Sequence, residues 1–465
     1  MEDELKQKLF RNTKSGWENT TEEQRKDIEE VSKKYMDFLN KAKIEREFIT
    51  NAKKLADENG YKDIMELETL KPGDKIYFVN RGKSMYLAII GENSIENGMH
   101  IIGSHVDSPR LDLKPNPLYE DGGLAYFKTH YYGGIKKYQW TTIPLSMHGV
   151  IVKTSGEKIE INIGENENDP IFTITDLLPH LADEQMEKKL KNGVNGEDLN
   201  LLIGSIPYGD KKQSQRVKLN ILNILNQKYG ITEEDLTSAE IELVPAFKAR
   251  TMGLDGSMIA AYGQDDKVCA YTSLHAMMEL GNVKNTAVCI LSDKEEIGSI
   301  GNTGMESHMF DFFISEILNK LGVNRPNLLD KVFCYSKMLS SDVDAGFDPI
   351  YASVSDKHNA GFIGNGISLN KYTGSRGKSG ASDANAEYVA WVRNVLEKNN
   401  IRYQVAELGK VDIGGGGTIA YIIANKGADV IDCGVPVLSM HAPYEVTSKF
   451  DVYSAYKTYK AFWQE

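Results

Sequence analysis

MHIIGSHVDSP, residues 99–109, decides most of the fold reading. Its first half is apolar, and its second half presents His105, Asp107 and Ser108 before Pro109 ends the run. A short apolar run that breaks into polar residues reads as a buried strand whose end emerges at a surface. The same outline recurs downstream. AVCILS (287–292) gives way to Asp293, Glu295 and Glu296. VFCYSK (332–337) is followed by Asp342, and VPVLSM (435–440) by His441. Asp265 and Asp266 lie in YGQDDKVCA (262–270). In open α/β sheets, ligands gather beyond the carboxyl ends of strands. Polar clusters placed this way converge in space although they lie far apart in sequence.

Working outward, the chain after about residue 250 alternates helix and strand. Helical spacing covers 267–280, 307–321, 383–397, 418–424 and 450–462. Strand-like runs cover 287–292, 332–337, 403–408 and 430–438. That rhythm predicts an α/β domain, a sheet flanked by helices. Residues 2–60 carry apolar side chains at helical spacing (Ile28, Val31, Tyr35, Phe38, Leu39), and KIYFVN and SMYLAIIG begin the strands. The texture of 110–245 differs. AYFKTHYYGG, QWTTIPLSMHGVIVKTS, KIEINIG and DPIFTITDLL are aromatic, β-branched and alternating, which predicts antiparallel structure. One helix interrupts it at 217–230, with Gly230 as its stop. With 465 residues the chain exceeds one ordinary core. The economical division is one domain built from 1–109 and 246–465, interrupted by a β-rich insertion at 110–245.

Composition narrows the function. Hydrophobic residues at 41% and charged residues at 26% describe a folded chain. A net charge of −12 argues against a nucleic-acid partner, which needs clustered cations. Cys269, Cys289, Cys334 and Cys433 form no CxxC pair and read as buried free thiols in a reducing compartment. MEDELKQKLF lacks the apolar core of a signal peptide, and no run approaches the length of a membrane span. A cytoplasmic protein with no membrane partner is the expectation.

Taken singly, each polar cluster has an ordinary reading. A histidine beside a strand is commonly structural. Asp265-Asp266 before an apolar run also reads as a helix N-cap. Glu295-Glu296 also reads as a solvated helix start. The ordered set HxD, DD, DxEE, D, H shifts the balance. Imidazole and carboxylate suit zinc and its first-row neighbours. A pair of divalent ions about 3.5–4 Å apart needs a bridging carboxylate, two histidines and two further carboxylates. Asp265 can bridge, with His105 and Asp342 on one ion and Glu296 and His441 on the other. Glu295 is then left beside the ions as a free carboxylate, where a general base belongs. Asp107 can accept the second ring N–H of His105 and fix its tautomer.

These motifs resemble the M18 aminopeptidases, the family that includes aspartyl aminopeptidase. The resemblance spans nearly the whole chain and rests on GSHVDSP (103–109), YGQDDK (262–267), SDKEEIGS (292–299), LSSDVDAGFDP (339–349), GGGGTIA (414–420) and SMHAPYE (439–445). It implies a zinc-exopeptidase-like mixed sheet and hydrolysis of N-terminal residues from peptides. It also implies two zinc ions per subunit, with cobalt or manganese as substitutes. His105, Asp265, Glu296, Asp342 and His441 fall on the ligands, Glu295 on the base and Asp107 behind His105. The inserted domain is expected to dimerise, in a homo-oligomer built from dimers up to a dodecamer. His180, in LLPHLAD, falls on a histidine that reaches a neighbouring subunit's site. The lysine that reads acidic side chains in aspartyl aminopeptidases is replaced here by Ser368, in GNGISLN (364–370), with Lys371 close by. A preference for acidic N-terminal residues is therefore open. GGGG (414–417) lacks the spacing of a phosphate loop and is expected to pack closely or anchor a peptide terminus. Tyr131, Tyr132, Tyr138 and Trp140 are expected to pack within the insertion or at a subunit interface. Two rival readings remain: a related two-metal carboxypeptidase or deacylase, and a non-catalytic metal-binding assembly protein.

Overall fold

The computed structural model describes residues 2–11, 15–323, 325–374 and 376–465. Its central element is a sheet of nine strands among the described residues. Four neighbouring strands at its heart run parallel: Thr286–Ser292, Met99–His105, Lys337–Ser340 and Asp429–Gly434. Thr286–Ser292 and Met99–His105 are buried along their whole length, as expected for strands covered on both faces. In register, Ser292 lies opposite His105 and Ser340 opposite Gly103. The carboxyl ends of these strands therefore open along one edge.

Helices cover the two faces. Glu22–Leu39 starts with a capping box between Thr21 and Gln24 and buries Ile28, Val31, Tyr35, Phe38 and Leu39. Glu45–Glu58, Gln264–Met278 and Lys449–Gln464 pack with it over one face, around Phe48, Tyr459 and Trp463. Met309–Lys320 and Leu328–Cys334 cover the other face through Phe310, Phe313 and Phe333.

Two more sheets complete the fold. Six strands lie between Arg110 and Pro245 and form an antiparallel sheet with its own apolar cluster around Trp140. The helix Arg216–Tyr229 rests beside it and ends at Gly230 in the left-handed conformation, φ 64°. Five short strands form the third sheet, which holds the hairpin Pro436–Leu438 and Glu445–Ser448.

Four readings need correction. Residues 332–337 are not a strand. Leu328, Val332 and Phe333 turn one helical face into the core, and the strand starts only at Lys337. The aromatic and β-branched composition imitated a strand where the burial has helical spacing. Cys334, at the end of that helix, is consequently exposed, while Cys269, Cys289 and Cys433 are buried; all four are free thiols. Residues 430–438 split between two sheets, as Asp429–Gly434 and Pro436–Leu438. DPIFTITDLL forms only isolated bridges, Leu145 to Phe172 and Thr173 to Leu202.

A buried ionic knot ties the N-terminal helices to the six-stranded sheet. Lys43, between the helices, donates to Glu165 and to the Pro245 carbonyl, both at 2.7 Å. His148 lies 3.1 Å from Glu165 and 2.7 Å from Glu47. Burial would raise the Glu165 carboxyl, but His148 and Lys43 outweigh it and bring it down to about 2 from the usual 4.5. An acid held low in the fold stabilises it above its unfolded value and loses that contribution as pH falls through the folded one. The thermal midpoint is therefore expected to drop between pH 4.5 and about 2. Glu165→Gln is expected to flatten that slope. An unchanged slope in the variant would remove Glu165 from the account.

Candidate active site

His105 closes its strand at the sheet's edge and is 2% exposed. Its Nδ1–H donates to the Asp107 backbone carbonyl at 3.0 Å. Its Nε2 faces Asp265 Oδ1 at 3.3 Å, Asp342 Oδ1 at 3.6 Å and Glu295 Oε2 at 3.8 Å. His441 stands opposite, in the hairpin loop of the small sheet, with a positive φ of 65°. Its Nδ1–H donates to the Gly134 carbonyl at 2.8 Å. Its Nε2 faces Asp265 Oδ2 at 3.1 Å and Glu296 Oε1 at 3.6 Å. Both rings thus spend their Nδ1–H on a backbone carbonyl, which leaves the Nε2 lone pair of the neutral imidazole free to ligate a metal beside the carboxylates.

Asp265 precedes the regular part of its helix and follows Gly263, itself at φ 70°. Ser108 donates to the Asp265 carbonyl at 2.7 Å, and the fully buried Lys267 donates to Ser108 at 2.6 Å. Asp342 leaves the end of Lys337–Ser340 in tight contact with Gly434. A methyl group at Gly434 would fall 1.5 Å from the Asp342 carbonyl oxygen, so only glycine fits there. Glu295 and Glu296 begin a short turn after Thr286–Ser292, and both backbone N–H groups donate to the Asp107 carboxylate at 3.2 Å. That carboxylate was expected to take the His105 ring proton. Its Oδ1 lies 3.4 Å from that ring's Nδ1, and the same carboxylate also holds the two glutamates.

Two buried carboxylates hold further site residues. Glu445 accepts the N–H of Asp265 at 3.1 Å and that of His441 at 2.8 Å. Asp266 accepts the N–H of His105 at 3.2 Å. Neither had a role read from the sequence, because their contacts are to backbone N–H groups, which side-chain patterns do not reveal.

The electrostatics are those of crowded carboxylates. Burial pushes Glu295 up to about 8, against the opposing charge of His105. Burial and the neighbouring Asp265 hold Glu296 well above the usual range. Burial would lower His441, but Asp265 and Glu296 raise it to about 10. For Asp265 burial acts upward, yet hydrogen bonds from His105 and His441 hold it low. Such a set attracts cations. Buried oxygens without a hydrogen-bond donor, Glu296 Oε1 and Asp266 Oδ1, point the same way. Ligand atoms of His105, Asp265 and Glu296 lie within 4.8 Å of one another, as do those of His105, Asp266 and Asp342. Ligands at about 2.0–2.2 Å from a tetrahedral zinc are about 3.3–3.6 Å apart. The imidazole–carboxylate pairs here span 3.1–3.6 Å. The residues fit zinc.

The cluster forms one wall of a cavity of about 460 Å³. Asn370, Thr373, the 415–417 glycines, Thr418 and Tyr421 line the rest. A methyl group added at Gly414 would sit 3.0 Å from the Leu408 carbonyl oxygen, whereas one at Gly416 or Gly417 would meet open space. Close packing therefore accounts for Gly414 but not for Gly416 or Gly417. Ser368 does not line the cavity. It sits fully buried one strand repeat deeper, donating to Asp344 at 2.7 Å, while Asn370 at the strand end takes the wall. Lys371 is half exposed and turns toward Asp383 at 3.8 Å. His180 is exposed on the β-rich segment and lines no part of this cavity. Tyr132 does not merely pack: its hydroxyl donates to Asp107 Oδ2 at 2.8 Å. Trp140 is buried, and Tyr131 and Tyr138 are exposed.

Comparison with known proteins places this geometry. The family described as aminopeptidase I zinc metalloprotease (M18) matches residues 38–463. A probable M18 family aminopeptidase 1 of Clostridium acetobutylicum is 52% identical over 458 residues, 98% of each chain. The crystal structure of an M18 aminopeptidase from Thermotoga maritima has a TM-score of 0.94 at 46% identity, covering 98% of this chain and all of that one. The dodecameric yeast mApe1 shares the fold at 22% identity, with a TM-score of 0.75 over 94% of this chain and 97% of that one. The chain belongs to the M18 family of zinc metallo-aminopeptidases.

Proposed function

We propose that the chain removes N-terminal residues from peptides at a centre of two zinc ions, with Glu295 as general base. The observation that carries this is the position of Asp265, whose two carboxylate oxygens face His105 and His441 at 3.3 and 3.1 Å. In this reading Asp265 is shared, His105 and Asp342 complete one set, and Glu296 and His441 the other. When bound, the zinc ions polarise the scissile carbonyl and lower the pKa of the attacking water toward roughly 7. Glu295 takes a proton from that water and returns it to the leaving amine. Asp107 keeps Glu295 aimed by accepting its backbone N–H. The glycines 415–417 line the cavity and offer backbone N–H groups to the peptide.

The same cavity speaks to substrate choice. Glu295, Glu296, Asp342 and Asp432 all line it. That charge favours a cationic α-amine and disfavours an acidic side chain. With Ser368 buried and Lys371 turned away, we assign no strict preference for Asp or Glu.

The six-stranded segment 110–245 reads as the dimerisation domain. Leu178, Leu181, Met186 and Leu190 are each at least half exposed around His180, an apolar patch suited to a second copy. We place His180 at the neighbouring subunit's site, in a dimer-based assembly of the kind mApe1 forms. No helix among the described residues is long and apolar enough to cross a membrane, and a cytoplasmic location fits the free thiols.

The test is a panel of aminoacyl nitroanilides and short peptides, free or N-acetylated, with zinc, cobalt or manganese added. Turnover is expected only with a free α-amine. Comparable hydrolysis of blocked substrates, or release from the carboxyl end, would replace this reading with a deacylase or carboxypeptidase.

A further inference from the structure

We infer that the turn Tyr132–Gly134 of the six-stranded sheet clamps both sides of the metal centre, with Tyr132 as its positioning residue. This rests on the ligand and base assignments proposed above.

Three consecutive residues make three separate contacts. The Tyr132 hydroxyl donates to Asp107 Oδ2 at 2.8 Å, the oxygen that also accepts the Glu296 N–H at 3.2 Å. Asp107 Oδ1 accepts the Glu295 N–H at 3.2 Å. One buried carboxylate therefore sets the backbone of a ligand and of the base, and Tyr132 fixes that carboxylate. Gly133, at φ 73°, passes so close that an added methyl would sit 3.1 Å from Glu296 Oε2. The Gly134 carbonyl accepts the His441 Nδ1–H at 2.8 Å, which holds the tautomer that aims Nε2 at Asp265 and Glu296.

The clamp is itself anchored. Tyr132 is the cross-strand partner of Arg110, and the guanidinium lies 3.8 Å from the centre of its ring. Arg110 is pinned in turn by Glu242 at 2.9 Å and Asp112 at 2.8 Å. The phenol therefore reaches Asp107 from a fixed platform, and little side-chain freedom is lost in making the bond. The placement of the β-rich segment thus feeds directly into the geometry of the centre.

Tyr132→Phe keeps the ring on Arg110 and deletes the hydroxyl. In the full-length chain, zinc affinity read by chelator competition is expected to fall about 10–100-fold, the range seen when a group behind a metal ligand is removed. kcat is expected to fall about 10-fold or more, with KM moving less than about 2-fold, because an interaction that aligns the reacting groups is lost. The melting point of the zinc-free chain is expected to move only by the few degrees that one hydrogen bond commands. Gly133→Ala, which presses on Glu296, is expected to weaken zinc as well. Tyr131→Phe, on the exposed neighbour, is expected to leave every readout unchanged. Wild-type zinc affinity and kcat in Tyr132→Phe would overturn the clamp. So would a loss of stability in the zinc-free chain with zinc affinity intact, since that describes packing alone. A wild-type chain that takes up no zinc would overturn the site assignment beneath it.

Discussion

Glu295→Ala is expected to lower kcat by about 10²–10⁴-fold, the contribution of a placed general base. Zinc uptake should stay close to wild type. Glu295 lines the cavity, and its Oε2 stands 3.8 Å from His105 Nε2, farther than either Asp265 or Asp342. Its position within the set is that of a proton carrier beside the ligands. In the metal-free fold burial pushes its carboxyl up to about 8. A base is most effective when its pKa lies near the working pH. Isotope-dilution zinc analysis beside steady-state kinetics checks both halves. Near wild-type kcat would remove Glu295 from the chemistry. Lost zinc would make it a ligand and oblige another group to carry the proton.

The convergence of these residues was legible in the sequence for a physical reason. His105, Glu295, Glu296, Asp342 and His441 all follow short apolar runs, and a strand that ends in polar residues announces a site at its carboxyl end. Asp265 reads directly as able to bridge, and Glu295 as the carboxylate left over. What stayed hidden lies in contacts between backbone and distant side chains. Glu445 holds Asp265 and His441 through their N–H groups, yet a glutamate four residues beyond a histidine carries no such signal. Gly134 meets His441 across 307 positions of chain. Tyr132 sits in an aromatic strand, where alternation predicts packing and nothing local reveals that its hydroxyl finds Asp107. Ser368 misled for a different reason. Motif position placed it at the wall, but the strand Ile367–Asn370 runs from the core toward the cavity, and only its last residue arrives there. The 332–337 run failed because short helices and short strands share the same apolar composition.

Arg110→Met is expected to destabilise the fold by about 3–5 kcal/mol, the usual cost of removing one partner from a buried ion pair. Arg110 is 7% exposed, Glu45 1% and Glu242 4%. The guanidinium lies 2.9 Å from Glu242 and 3.6 Å from Glu45. Burial drives Glu242 well above the usual carboxylate range. Burial acts the same way on Glu45, but Arg110, a hydrogen bond from Glu242 and the charge of Lys83 together outweigh it and keep that carboxyl low. Arg110, aided by Lys83, and one retained proton thus serve the two buried carboxylates. Methionine fills the space and supplies no charge, so both acids must then hold protons to remain inside. An acid whose folded value is raised binds protons more readily in the fold, so stability recovers as pH falls. The deficit should accordingly be largest at and above neutral pH and shrink on acidification, as read by urea unfolding at several pH values. Adding Glu242→Gln to Arg110→Met should recover part of the loss, since contacting groups are not additive. A deficit below about 1 kcal/mol, typical of exposed pairs, would mean that water reaches the cluster. The ring of Tyr132 rests on this guanidinium, so the same replacement should weaken zinc binding even where the chain stays folded. Stability of the β-rich segment and alignment of the centre then depend on one buried charge.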